Sequence, residues 1–251
     1  REDEIGTLSK EIQNMSLGLK SQIEQLEKFS ADVSHELKNP LTSLQSAIEL
    51  IDTNNIAADK KNLLINNIKN DLKRMNQLIT DISNFTRLKA EIELEKNQYI
   101  KLNNFLDEIP EIFTNNNKEI KLIFNKHKDD LEILANKNKL IQVFINLIEN
   151  SISLSPKKSK ILIELNKIDN KYISLRFYDQ GKGIDSKDSE KIFERFYSDR
   201  HENIKNHTGL GLSIAREIIG HMNGKISLNK SAKSDYPGAC FLIILPVRHS
   251  S

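Results

Sequence analysis

The sequence predicts a multidomain chain: an all-α coiled coil and helical hairpin that pairs into a dimeric four-helix bundle, then an α+β two-layer domain. Three observations predict it. From Ile5 to about Leu88 apolar side chains recur at steps of three and four. One polar stretch, "DTNNIAAD", interrupts that pattern midway. From about residue 96 short β-like runs alternate with helical ones. The 251 residues are comfortable for two compact units.

The first segment places Ile5, Leu8, Ile12, Met15, Leu19, Leu26, Phe29 and Val33 on one seam, with Gln22 filling an otherwise apolar slot. Such heptads predict a coiled coil rather than a lone helix, and the glutamine fixes its register. After Val33 the next inward residue is Leu37, so two steps of four follow one another, a stutter that locally unwinds the supercoil. His35 stands two residues from each, about 200° away around the helix, and points to solvent. Asp32 and Asn39 share its face. Pro40, lacking an N–H for the carbonyl of Glu36, is expected to loosen the helix one turn after the histidine and act as a hinge.

The helix continues through Leu44, Ile48 and Ile51 to the polar turn, and a second follows with Leu64, Ile68, Leu72, Met75, Ile79, Ile82 and either Phe85 or Leu88. Two helices cannot bury both apolar stripes, so a homodimer is predicted.

In the second half, "EIKLIF", "LEILA", "KILIEL", "YISLRFY", "GKISL" and "CFLIILP" read as strands, with helices beginning near Leu102, Lys139 and Thr208. Cys240, alone among strand-like apolar residues, is a small core residue and cannot form an internal disulfide.

Composition narrows the function. The 37 basic residues nearly cancel 35 acidic ones, net +2, which gives no electrostatic case for nucleic acid or an anionic membrane. No run approaches the ~18 apolar residues that span a bilayer. The chain opens on Arg1 within a charged helical segment, which predicts a soluble piece of a longer protein. His127, His201, His207, His221 and His249 fit no metal spacing.

Three stretches of the second half carry chemistry. "QVFINLIENS" sets Asn146 and Asn150 four apart on one face of an apolar helix, for helix–helix hydrogen bonding or for a cation and phosphate site. "DQGKGID" follows a strand; Gly181 and Gly183 let backbone approach a flat ligand, and Asp179 can accept from an exocyclic amine. "HTGLGLSIAREII" opens a helix at Gly209 and Gly211, whose N-terminal amides favour anions. Between the last two lies "IFERFYSDRHENIKN", an apolar–basic stretch that suits the base of a lid.

In this order, downstream of "FSADVSHELKNPLTSL", these stretches resemble the phosphoacceptor box and the nucleotide-binding boxes of the sensor histidine kinases of two-component systems. The resemblance covers residues 22–247, and "DEIGTLSKEIQNM" is similar to the end of a HAMP linker. Within the family, "ADVSHELKNPLTSL", "FYSDR" and "TGLGLSI" are similar to the ChvG/ExoS-type sensors.

The resemblance implies a HAMP end and signalling helix over 1–21, a dimerisation and phosphotransfer hairpin over 22–95, and a Bergerat-type ATP-binding domain over 96–251. It implies His35 as phosphoacceptor, Glu36 as the base that draws off its ring proton, and Asn39 as the residue orienting a water for dephosphorylation. It further implies Mg²⁺ on Asn150 with help from Asn146, adenine read by Asp179, and an ATP pocket shaped by Gly181, Gly183, Gly209 and Gly211. Leu154, Ile184, Arg195, Thr208, Leu210 and Leu212 complete that pocket, with Phe193 and Phe196 anchoring the lid.

The implied partners are a second copy and a response regulator, and the implied place is the cytoplasmic side of a bacterial inner membrane, anchored through upstream segments. Ser153 stands where the family often has a phosphate-contacting lysine, and Leu154 where it has an aromatic residue. Arg195, Lys182 and Lys157 are left to balance phosphate charge.

Overall fold

A computed structural model of the chain describes residues 2–52, 57–91, 97–113, 120–197 and 208–248. The tip of the helical turn, most of the lid with His201 and His207, and His249 lie outside the described residues, as do the side chains of Ile5 and Leu88. The chain divides into two compact units, 1–82 and 83–251.

The first unit is a hairpin of α1 (Glu2–Asp52) and most of α2 (Ala58–Glu91). Phe29, Leu44, Ala47, Leu64 and Leu78 form its buried seam. Ser43 Oγ donates to Asp71 Oδ2 across the pair at 2.7 Å. Leu78 is fully buried although the apolar pattern pointed to its neighbour Ile79, which is exposed together with Leu72. The reason is that α2 carries two stripes: one faces α1, and the other has no counterpart in a single chain. Leu41 and Ile48 form a matching open stripe on α1, while Leu8, Ile12, Met15, Leu19 and Leu26 of the coiled-coil seam are likewise exposed. α1 runs unbroken through Pro40, which is buried in the hairpin. Thr42 Oγ1 donates to the Lys38 carbonyl at 3.0 Å beside it.

The second unit begins with the end of α2. It contains β1 (Gln98–Lys101), α3 (Leu102–Phe113), β2 (Lys121–Asn125), β3 (Glu132–Ala135), α4 (Lys137–Leu154), β4 (Lys160–Lys167), β5 (Tyr172–Tyr178), α5 (Gly211–His221), β6 (Lys225–Lys230) and β7 (Ala239–Pro246). Two single-turn 3₁₀ helices, Ser186–Asp188 and Lys191–Phe193, lie between β5 and α5. The main sheet runs β2-β4-β5-β7-β6, and β1 pairs antiparallel with β3 apart from it. All neighbours in the main sheet are antiparallel except β2 and β4, whose connection passes through β3 and α4.

Alternation along β5 puts Ile173, Leu175 and Phe177 on one face, all fully buried. There the Phe177 ring meets Phe144 of α4 edge-on at 4.9 Å, and Phe144 meets Phe105 of α3 at 5.0 Å. Removing such a ring costs about 3–5 kcal/mol. This stack fixes α4 against the sheet, with Asn136 capping the helix by accepting from Lys139 N–H at 3.1 Å.

Candidate functional site

Two groups of residues carry the chemistry, one in each unit. In the hairpin, His35 is exposed on α1, as its helical phase requires. Its Nδ1 lies 3.4 Å from the Asn39 side-chain amide one turn on. Whichever amide atom turns to the ring sets its tautomer: an N–H leaves the ring proton on Nε2, and the oxygen draws it to Nδ1, freeing Nε2 for attack. Glu36, about 100° around the helix from His35, reaches α2, where Arg74 donates to its Oε2 at 3.2 Å. The sequence reading passed over Arg74, since nothing local to it signals a site.

In the second unit the sheet delivers Asp179 from the end of β5, 1% exposed. Its Oδ1 accepts from the backbone N–H groups of Gly181 and Ala239, each at 2.9 Å. Its Oδ2 is buried and meets no partner. Burial raises the carboxyl's pKa against those two hydrogen bonds and the nearby Ser151 hydroxyl, which lower it. A buried acceptor left open in this way suits a ligand's amine donor.

Gly238, from the loop before β7, closes the same corner: a Cβ there would lie 1.9 Å from Asp179 Oδ1. The sequence reading missed it too, although the Pro237–Gly238 pair before a strand is a turn signal.

On α4 the paired asparagines diverge. Asn146 Nδ2 donates to the Gly211 carbonyl at 3.0 Å, tying α4 to the start of α5. Asn150 Nδ2 is buried without a partner. Its backbone carbonyl accepts from Ser153 Oγ at 2.7 Å, so the hydroxyl that replaces the expected lysine is turned back onto its own helix.

The loop before α5 is tightly wound. Gly209 has φ 73°, and a Cβ there would come within 2.6 Å of the Phe196 backbone; its carbonyl accepts from Phe196 N–H at 3.0 Å. Phe196 itself has φ 60°, a left-handed conformation rare for an aromatic residue. Thr208 and Leu210 are buried beside them.

Phe193 is buried edge-on to Phe241, with the Arg216 guanidinium 4.3 Å from its ring centroid. Arg195, expected near the phosphates, lies with its guanidinium 4.8 Å from the ring centroid of Phe85, near the end of α2. Gly183 adopts φ 79°, Leu154, Ile184 and Leu212 are half-buried, and Lys157 and Lys182 are exposed.

Residues 25–91 match the His Kinase A phospho-acceptor domain family, and residues 135–249 match the histidine kinase-, DNA gyrase B- and HSP90-like ATPase family. The sensor protein ChvG of Rhizobium meliloti is 36% identical over 98% of this chain and 44% of its own length. The sensor histidine kinase YclK of Bacillus subtilis is 31% identical over 98% of this chain and 53% of its own. The chain thus spans about half the length of the curated relatives it matches. Among solved structures, histidine kinase ThkA, in a crystal with the response regulator protein TrrA, superimposes with a TM-score of 0.67 at 24% identity. That match covers 92% of this chain and 65% of the other.

Proposed function

The chain belongs to the two-component sensor histidine kinases, and from that footing we propose that it phosphorylates His35 from ATP and passes the group to an aspartate of a response regulator. His35 Nε2 attacks the γ-phosphorus in line. The N–P bond forms as the bridging P–O bond breaks, ADP departs with the electron pair, and the Nδ1 proton leaves by way of Glu36. Such transfer depends on positioning and on charge neutralisation rather than on protein-based covalent chemistry.

In the pocket, Asp179 Oδ2 accepts from the adenine amine, and the amides at the start of α5 face the phosphates. Asn150 and Asn146 would hold Mg²⁺, which neutralises phosphate charge when bound. Asn146 fits that role through Oδ1, since its Nδ2 is taken by the Gly211 carbonyl, and Asn150 would likewise use its side-chain oxygen. Asn39 directs a water in a separate reaction that hydrolyses the regulator's aspartyl phosphate and releases inorganic phosphate.

The working unit is a homodimer. In support, Leu41 and Ile48, and Leu72 and Ile79, are each about half exposed and each seven residues apart, the spacing of a second interhelical seam. The likeness of residues 1–21 to a HAMP end supports a full-length bacterial inner-membrane protein with this chain on its cytoplasmic side, although no helix among the described residues is long and apolar enough to cross a membrane.

The observation that carries the proposal is the exposed imidazole of His35, flanked by Glu36 and Asn39, within the matched phospho-acceptor domain. The test is incubation with γ-labelled ATP and Mg²⁺. The expected product is an acid-labile, alkali-stable label that vanishes in His35→Gln; a folded, dimeric protein that never takes up label overturns the proposal.

A further inference from the structure

We propose that Arg74 is a positioning residue of the phosphoryl transfer, acting on His35 through Glu36. The inference rests on the reading of His35 and Glu36 given above. Adjacent residues on a helix point about 100° apart, so a carboxylate directly after the histidine is not preset to meet its ring. Something outside α1 has to aim it.

The geometry supplies an anchor for the carboxylate. Arg74 projects from the facing helix, and its guanidinium donates to Glu36 Oε2 at 3.2 Å. The side chains are 33% and 18% exposed, so the pair sits within the hairpin rather than on its surface. Arg74 Nε is buried and meets no partner, so one edge of the guanidinium has given up water without gaining a protein acceptor. That unreturned desolvation fits a residue retained for what it does to Glu36.

A carboxylate has acceptor sites on both oxygens. With Oε2 taken by Arg74, Oε1 meets no partner among the described residues. It is the atom that accepts the His35 Nδ1–H once Asn39 turns away. The Glu36 carboxylate then stabilises the charge that builds on the imidazole as Nε2 attacks. Nucleophile, oriented imidazole and carboxylate fixed by a third group follow the general logic of such sites. Here the third group arrives from the second helix of the hairpin, so hairpin packing enters directly into the chemistry.

The experiment measures autophosphorylation of the dimeric chain at varied MgATP for Arg74→Ala, Arg74→Gln, Arg74→Lys, Glu36→Gln and the double variant Glu36→Gln/Arg74→Ala. Thermal melting and sedimentation serve as controls. The expected result is a loss in kcat of about ten- to a hundredfold for Ala and Gln, with KM for ATP unchanged. Lys restores most of the rate, and Arg74→Ala adds nothing in the Glu36→Gln background.

Arg74→Gln carries the test if the alanine variant does not fold. Wild-type kcat in Arg74→Gln, or losses that multiply in the double variant, overturns the inference while leaving Glu36 in its role. Full activity in Glu36→Gln overturns both.

Discussion

At the scale of single residues, Asp179 shows best how burial is put to use. Both backbone donors converge on Oδ1, so Oδ2 is the oxygen left open to a ligand. Asp179→Asn keeps an oxygen for those two donors and therefore turns its NH₂ to the ligand, donor against donor. ATP affinity should fall roughly a hundredfold by calorimetry, the scale on which a mismatched polar group rejects its ligand. The same substitution should stabilise the free domain at neutral pH. The folded-state pKa of Asp179 is raised from 3.8 chiefly by burial, so the native state binds the proton more tightly than the unfolded chain. Its contribution is then most favourable below pH 3.8, and stability is lost as pH rises through the folded pKa. The gap in melting temperature between Asp179→Asn and wild type should widen as pH rises from 3.8, and a gap that narrows refutes this. Asp179 was legible because its motif is local. Arg74 was not, because its partner is 38 residues away and a lone arginine on a helix carries no signal.

At the scale of elements, periodicity read the long helices and all six strands from "EIKLIF" to "CFLIILP" to within a few residues. It missed β1, whose four residues bury only Ile100 and so show almost no alternation. It gave no warning that β2 joins β4 in parallel, since pairing direction is set by how far the chain travels between strands. It also expected Pro40 to loosen α1 one turn after His35, and the helix runs on through that turn. The ring is buried, and its missing donor affects one backbone bond. Pro40→Ala restores that bond at the carbonyl of Glu36 and stiffens the turn bearing His35 and Asn39. The expected outcome is a hairpin that melts higher and a changed ratio of autokinase to regulator-dephosphorylating activity. An unchanged ratio removes Pro40 from the switching mechanism.

At the scale of the whole molecule, the open stripes of the hairpin decide the assembly. Leu72 and Ile79 are 49% and 52% exposed in a single chain, although their neighbour Leu78 is fully buried. A glutamate at either exposed position should shift the protein to monomers in sedimentation. It should reduce autophosphorylation at low protein concentration while leaving ATP binding by the second unit intact; dimers that persist at micromolar concentration would count against the bundle. The two stripes were only half legible, because a 3–4 repeat cannot say which neighbour each apolar side chain will meet. The unbroken run of α1 carries one last consequence. At 51 residues it is a rod of about 75 Å with no joint along its backbone ladder other than the gap at Pro40. Whatever grips its upper end therefore speaks to the histidine in degrees of rotation, and every residue added or removed above it re-aims the message by about 100°.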